Sequence, residues 1–211
     1  MKKIITVDGP AGSGKEKISK YIARKYKLYH LDSGILYRRL AYELAKRNIN
    51  TFEINKIKRV IKNINKLSLR KIQSLRKEQI GKAASEIAKL DFVRFFINSQ
   101  QRLATRTSNK KKGFVIDGRD IGSVVFQRAF VKLYIDVDVN IRAKRRYKQL
   151  IDNGEKSIYL KILKDIKLRD KTDKTRKNSP LVVPKGAKII NNSHTFKKTI
   201  AQIRNIIEGI N

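Results

Sequence analysis

The pattern of hydrophobic and polar positions predicts short buried strands that alternate with amphipathic helices. The β-branched run at residues 4–7 is typical of a buried strand, and an acidic residue and a glycine follow it directly. Hydrophobic residues in 18–26 recur with the spacing of a helix that buries one face. Further strands at 114–116 and 131–135 also end at acidic residues. This alternation predicts a parallel α/β sheet with a ligand site along the carboxyl ends of its strands.

The remaining elements follow from the same pattern. Asp32 or Ser33 is predicted to cap the N-terminus of one helix, and Asp91 that of another. His30 is expected to be a surface or rim histidine, since only His194 is available as a histidine partner for a metal. Residues 48–79 have weak periodicity and predict an inserted subdomain whose elements the sequence does not locate. The predicted elements are strands at 28–31 and 188–190, helices at 35–45, 80–89, 91–105, 140–151, 158–170 and 195–210, and a turn at 110–113.

The turn after the first strand contains most of a P-loop. Gly9, Gly12 and Gly14 precede Lys15 and include the spacing G-x-x-x-x-G-K. Glycines allow backbone N–H groups to approach a phosphate chain closely, and the following helix adds the positive end of its dipole. Lysine adds a point charge for the phosphates. The alternative is a glycine-rich turn that binds nothing, but the strand–loop–helix context favours a phosphate-binding loop.

The two residues after the loop lysine depart from this motif. P-loops usually have Ser or Thr there, or Gly then Thr, whereas this chain has Glu16 and Lys17, which lack the hydroxyl. A carboxylate about 5 Å from a phosphate is repelled by about 3 kcal/mol per unit charge at an effective dielectric constant of about 20. That exceeds the roughly 0.3–1 kcal/mol gained at a helix N-terminus. We therefore expect Glu16 to turn outward or to coordinate Mg²⁺, and Lys17 to replace the hydroxyl contact with a charge.

Length and composition limit the class of protein. The 211 residues predict one domain with a possible insertion. The absence of cysteine excludes disulfides, thiolate zinc sites and a cysteine nucleophile, and it fits a cytoplasmic protein. No apolar run is long enough for a transmembrane helix, and the run after Met1 is too short for a signal peptide. We therefore predict a cytoplasmic protein with no membrane partner.

The net charge of +33 has two interpretations. A nucleic-acid-binding protein is one, and a lysine-rich composition spread over solvated faces is the other. The wide spread of lysines favours the second, because the only tight clusters are at 110–112 and 142–146. Non-specific, salt-sensitive binding to RNA is expected in either case.

Taken together, these segments resemble the cytidylate kinases, bacterial P-loop nucleoside monophosphate kinases. The resemblance covers nearly the whole chain, and the L-D-S-G and D-G-R-D motifs favour this family over adenylate, guanylate and shikimate kinases. It implies a P-loop NTPase-type α/β fold, a parallel sheet flanked by helices, in a single domain at 1–211. The core would be 1–47 and 106–211, the CMP-binding insertion 48–105 and the short lid 152–179. The segments that carry it are 7–15, 31–34 with Tyr37 and Arg38, 83–88 with 93–94, 116–122, 142–146, and 166–170 followed by Asp173 and Arg176.

The family's activity would be transfer of phosphate from ATP to CMP and dCMP with Mg²⁺, giving CDP and dCDP in pyrimidine metabolism. Transfer would be in line with no covalent intermediate, and the enzyme is expected to be a monomer. By resemblance, Lys15, Arg119, Arg169 and Arg176 are catalytic, with Arg169 and Arg176 on a mobile lid. The expected ATP-binding residues are Gly9, Pro10, Ala11, Gly12, Ser13, Gly14, Lys15, Glu16 and Lys17.

The CMP site is likewise implied by the resemblance. A carboxylate that accepts from the cytosine N4 amino group, paired with a cation toward N3, would distinguish cytosine from uracil. Asp117 is a candidate to bind a water molecule of the magnesium ion, and no direct metal ligand is assigned. The implied roles are Ser33, Arg94 and Asp120 at the base, Ser85 and Asp173 with Arg169 nearby at the ribose, and Arg38, Arg119 and Arg176 at the phosphate.

Two alternatives stay open at this point. One is a basic RNA-associated protein on a P-loop scaffold that has lost kinase activity, and the other is a kinase for another monophosphate, such as UMP. The departure at Glu16 and Lys17 allows an active kinase with altered metal use, a slow kinase, or a chain that keeps only the fold.

Overall fold

A computed structural model of the chain describes residues 3–70, 72–107 and 112–209. The predicted turn at 110–113 lies partly outside these residues, as do Lys110 and Lys111 of the first lysine cluster. The chain divides into two compact units, Met1–Leu31 with Lys110–Asn211, and Asp32–Asn109. Each unit is described by itself.

The helix at Ile54–Lys62 lies in the segment 48–79, whose elements the sequence does not locate; the other described helices lie where periodicity predicts them, with differences at their ends. A 3₁₀ turn at Gln73–Arg76 and a π-helical turn at Ile121–Val125 add to them. The helices are α1 (Lys15–Lys25), α2 (Gly34–Ala45), α3 (Ile54–Lys62), α4 (Glu78–Ile87), α5 (Asp91–Arg106), α6 (Val139–Asp152), α7 (Tyr159–Thr175) and α8 (Phe196–Glu208).

A parallel sheet forms the first unit, as predicted. Its order is β2-β3-β1-β4-β5, and β1 pairs in parallel with both β3 and β4, while β4 pairs in parallel with β5. The carboxyl ends of these paired strands therefore lie at one edge, where the loops after β1 and β3 meet. The strands are β1 (Lys3–Asp8), β2 (Tyr29–Asp32), β3 (Gly113–Gly118), β4 (Val131–Asp136) and β5 (Lys188–Asn191).

The core of the first unit explains why the strand runs are so apolar. The central strands β1 and β4 contribute Val7, Leu133 and Ile135, whose side chains are fully buried. The helices α1 and α8 pack Ile18 and Ile203 into the same cluster. Burying such a side chain contributes roughly 1.5–3 kcal/mol, so this cluster holds the β1 end and the start of α1 in a fixed place.

The second unit has a hydrophobic core of its own. Leu36 and Leu40 of α2 pack with Ile57 of α3, Ile87 of α4 and Ile97 of α5. Because α2 shares this core, the compact unit begins earlier than the insertion predicted at 48–105. The segment 48–79 was hard to interpret because most of it is irregular and α3 fully buries only Ile57.

Two local predictions need correction. Asp91 is the first residue of α5, and Leu90 occupies the cap position without a side-chain cap. Helix α7 continues to Thr175, beyond the predicted end at 170, because its polar residues face solvent on one side and form ion pairs on the other. At α2 the Asp32 carboxylate does accept from the N–H of Gly34, at 3.0 Å.

Candidate functional site

The P-loop connects β1 to α1, and its glycines are required by close contacts. A Cβ at Gly9 would lie 2.6 Å from the carbonyl oxygen of Ile135 on β4. Gly14 has a φ of 82°, and a Cβ there would lie 2.7 Å from Asn192 Nδ2. That amide group donates to the Ser13 carbonyl oxygen at 2.7 Å. The loop is therefore held from outside by the ends of β4 and β5.

Lys15 is the half-buried cation of the loop. Its Nζ donates to the Pro10 carbonyl oxygen at 3.0 Å, so the ammonium lies across the loop. Burial lowers the Lys15 pKa to about 7, and the charge of Arg119 lowers it further while Asp117 opposes the shift. An anion bound in this loop would favour the charged form of Lys15 and raise that pKa.

Glu16 and Lys17 both point away from the loop. The Glu16 carboxylate pairs with Lys20 at 2.6 Å on the exposed face of α1, which is the outward orientation that charge repulsion predicts. The Lys17 ammonium lies 4.3 Å from the ring centroid of Phe196 on α8. A cation over an aromatic face is stabilised there, so Lys17 does not take the place of the missing hydroxyl in this structure.

An arginine cluster lies beside Lys15. Arg119 donates from Nη1 to the Gly9 carbonyl oxygen at 2.9 Å, and its Nε lies 3.2 Å from Asp173 Oδ2. Arg176 Nη1 lies 3.3 Å from the other oxygen of Asp173. Arg169 is close enough that its charge lowers the pKa values of Lys15 and Arg119. The structure thus brings together all the predicted catalytic residues of the first unit.

Burial and the closeness of several positive charges would favour an anion in this cluster. Burial lowers the Arg119 pKa to about 10, Asp173 raises it, and Arg169 and Arg176 lower it. Asp173 was expected at a ribose, and here it lies between two arginines. A phosphate that entered the cluster would form charge-assisted hydrogen bonds to fixed donors, which is what phosphoryl transfer requires.

Asp8 organises the loop that contains Arg119 and Asp120, a role that the sequence analysis missed. Its two carboxylate oxygens accept from the N–H groups of Ile121 at 2.8 Å and Gly122 at 2.7 Å. Burial raises the Asp8 pKa to about 7; Asp120 also raises it, and Lys15 lowers it. The only sequence signal was an acidic residue at a strand end, and its partners are more than a hundred residues away.

We expect the raised pKa of Asp8 to make stability depend on pH. The folded protein keeps the Asp8 proton up to about pH 7, whereas the unfolded chain releases it near its ordinary value of 3.8. The stabilisation by this proton is therefore full below about pH 4 and is lost as the pH rises to about 7. Urea titrations should show the free energy of unfolding of wild type falling relative to Asp8→Asn over this range, and then levelling off.

A matched variant separates this effect from general titration. Asp136→Asn changes another acidic residue at a strand end, one that is exposed. The difference in free energy of unfolding between wild type and Asp136→Asn should not show the pH dependence expected for Asp8→Asn. A constant difference between wild type and Asp8→Asn from about pH 4 to about pH 8 would contradict the raised pKa.

His30 is half-buried on β2, and it has a partner that the sequence did not indicate. Its Nε2 lies 2.5 Å from Asp117 Oδ1, and the two side chains are only 12% and 6% exposed. The reason is tertiary, because β2 and β3 are neighbours in the sheet and bring these residues side by side. Sequence alone offered no partner for this histidine.

The remaining predicted CMP-binding residues lie in the second unit. Ser33 is buried just before α2, and Ser85 is half-buried on α4. The Arg38 guanidinium donates to the Leu75 carbonyl oxygen at 2.8 Å, which fixes its direction. Arg94 is buried, and the centre of its guanidinium lies 5.9 Å from the ring centroid of Tyr37. These arginines are thus held in place and are not solvated cations.

The described ranges contain no group of three or more acidic, histidine or cysteine side chains arranged to hold a metal ion. A metal in the P-loop would therefore rely on ligands other than a protein cage. Among the described residues, no helix is long and apolar enough to cross a membrane.

Comparisons with known proteins agree with this geometry. A family profile described as cytidylate kinase matches residues 5–210. A cytidylate kinase from Bartonella tribocorum is 38% identical over 210 residues, 98% of this chain and 95% of its own length. One from Fusobacterium nucleatum is 37% identical over 187 residues, 84% of each.

A solved structure agrees on the fold. The shikimate kinase from Bacteroides thetaiotaomicron superimposes with a TM-score of 0.53 at 11% identity and covers 98% of both chains. At that identity it supports the P-loop kinase fold alone. The family profile and the identity to cytidylate kinases extend over nearly the full length, and the P-loop lies beside a cluster of arginines. The chain belongs to the cytidylate kinase family.

Proposed function

We propose that the chain transfers the terminal phosphoryl group of ATP to CMP and dCMP. The observation that carries this proposal is the half-buried Lys15 at the start of α1, with Arg119 and Asp173 beside it. Phosphoryl transfer needs positioning and stabilisation of charge and no covalent intermediate, and fixed cations supply both. ATP use follows from membership of a kinase family.

The proposed roles divide between donor and acceptor. Residues 9–17 hold the ATP phosphates through backbone N–H groups and Lys15. Arg119, Arg176 and Arg38 hold the acceptor phosphate, and Arg169 adds charge near the transferred group. Asp120, Arg94 and Ser33 read the cytosine edge, with Asp120 accepting from the N4 amino group. Asp173 and Ser85 hold the ribose hydroxyls. Asp173 becomes available for this role when a phosphate replaces it as the partner of the two arginines.

Mg²⁺ fits this site without a protein cage. Magnesium commonly keeps several waters and binds through substrate phosphates with few carboxylates, which suits a region with no preformed metal cluster among the described residues. Asp117 at the end of β3 would contact its waters. When bound, the ion would neutralise charge that develops on the transferring phosphates.

Restoring the family's small and hydroxylated residues should improve ATP binding. Glu16→Ser with Lys17→Thr removes a carboxylate near the phosphates and adds a hydroxyl. We expect the ATP KM to fall by about threefold to tenfold. The expected fall is modest because Glu16 is exposed, and solvent screens its repulsion of the phosphates. Steady-state kinetics at varied ATP and saturating CMP would measure it. An unchanged or higher KM would show that these residues do not weaken ATP binding.

An assay of ADP release with ATP, Mg²⁺ and CMP, dCMP, UMP or AMP tests the proposed function at about physiological salt. Turnover with CMP and dCMP above the other acceptors supports it. Preference for UMP would favour another monophosphate kinase. Absence of turnover in a folded sample, with RNA binding that survives this salt, would favour the RNA-associated alternative.

We also propose a cytoplasmic monomer with weak, non-specific affinity for nucleic acid.

A further inference from the structure

Two arginines tie the P-loop to helix α7, and each does so in the same way. Arg119 donates to the carbonyl oxygen of Gly9 and pairs with Asp173. Arg142 donates to the carbonyl oxygen of Ala11 at 3.0 Å and pairs with Asp170 at 2.6 Å. The two acidic residues are three positions apart on α7, so they lie on one face of that helix.

Arg142 lies in the basic cluster at 142–146, but it is buried and is not a solvated cation. Its side chain is 5% exposed, and that of Asp170 is 13% exposed. Its Nε also donates to the Val137 carbonyl oxygen at 3.0 Å. Arginine suits this place because its planar group offers several donors in fixed directions, and here three nitrogens reach three separate segments.

The stem of Arg142 also lies beside the loop. Its Cβ is 3.4 Å from where a Cβ at Gly12 would stand, so a side chain at Gly12 would press against it. Arg142 therefore binds the P-loop at Ala11 and limits the space beside the next residue. A shift of Arg142 would move the loop, and a shift of α7 would move Arg142.

The two ties should respond differently to substrate. On the proposed function, Arg119 binds the acceptor phosphate, which competes with Asp173 for its guanidinium. Arg142 has no assigned role toward either nucleotide. When the acceptor binds, the ion pair between Arg142 and Asp170 is the tie that persists between the loop and the helix that carries Arg169 and ends just before Arg176.

We propose that Arg142 and Asp170 are positioning residues that fix α7 on the P-loop, and that they thereby aim Arg169 and Arg176 at the transferring phosphoryl group. The inference rests on the proposed function, since its main readout is phosphoryl transfer. Neither residue touches the reacting atoms in this account. They act through Arg169 and Arg176. Displacing such groups by about 1 Å costs about 10²-fold in rate.

The test is Asp170→Asn, which removes the charge and keeps the shape. We expect kcat for CMP to fall about tenfold to a hundredfold, while the ATP dissociation constant changes less than about twofold. Asp165→Asn on the exposed side of α7 is the matched control and should leave kcat unchanged. Arg142→Lys keeps the charge but loses the contact with the Ala11 carbonyl oxygen as well as the pairing with Asp170, so it should lower kcat like Asp170→Asn and also weaken ATP binding.

A double variant separates positioning from simple stabilisation. If Asp170 acts by aiming Arg176, then Asp170→Asn should lower kcat much less in an Arg176→Gln background than in wild type. Effects that multiply would overturn the proposal, as would an unchanged kcat in Asp170→Asn. A loss of ATP binding in Asp170→Asn that parallels the loss of kcat would overturn it too, because it would indicate damage to the whole fold.

A measurement without turnover keeps this inference distinct from the proposed function. Amide hydrogen exchange in α7 should be faster in Asp170→Asn than in wild type or Asp165→Asn, in samples with equal thermal midpoints. Wild-type protein that phosphorylates no acceptor would refute the proposed function, while the exchange result would still report on the tie. Equal exchange in all three proteins would refute the tie.

Discussion

Replacing Arg119 by Gln should lower kcat for CMP phosphorylation by about 10³-fold, the scale at which arginines stabilise phosphoryl-transfer transition states. Arg119 is fixed from two sides, by the Gly9 carbonyl oxygen and by Asp173, so no other cation takes over its position. Glutamine keeps some hydrogen bonding but loses the charge. The CMP KM should rise as well, because we propose that the same group holds the acceptor phosphate.

The control for this prediction is Arg128→Gln, an exposed arginine outside the site. It should alter kcat less than twofold. This variant controls for the general effect of losing one positive charge from a chain of net charge +33. A fall of less than about tenfold for Arg119→Gln, in a protein with unchanged thermal unfolding, would contradict the role given to Arg119. Steady-state kinetics at saturating ATP provides both numbers.

Replacing Lys15 by Met should lower kcat by about 10²–10³-fold and also remove proton uptake on ATP binding. In the free protein the Lys15 pKa is about 7, so part of the population is neutral at that pH. The phosphates of ATP raise this pKa, so ATP binding takes up protons above about pH 7. By linkage, ATP affinity should weaken as the pH rises from about 7 to about 9.

Calorimetry in two buffers of different ionisation enthalpy, at about pH 8, counts the protons taken up. Wild type should take up most of one proton per ATP through Lys15, and Lys15→Met should take up markedly less. Lys20→Met, on the exposed face of α1 where Lys20 pairs with Glu16, should behave like wild type. Equal uptake in wild type and Lys15→Met would show that Lys15 is already charged before ATP binds.

The sequence determined the parts of this protein whose signals are contiguous. The strand before the P-loop, the glycines within it and the helix after it depend on neighbours a few residues away, so periodicity and spacing predicted β1, the loop and α1 correctly. The strands β3 and β4 were equally clear because buried parallel strands are short apolar runs that end in polar turns. Family resemblance rested on similar local motifs, and the family profile and relatives confirm it.

The roles of Asp8, His30, Arg142 and Asp173 were decided only by the tertiary structure. Ala11 and Arg142 are 131 positions apart, and nothing in either segment indicates that a cation near the start of α6 reaches a loop carbonyl group. The sequence placed Arg142 only in a basic cluster at 142–146 and gave it no partner. Burial, pairing and the pKa shifts of Lys15 and Asp8 arise from which strands lie side by side, and in a parallel sheet those strands are far apart in the chain.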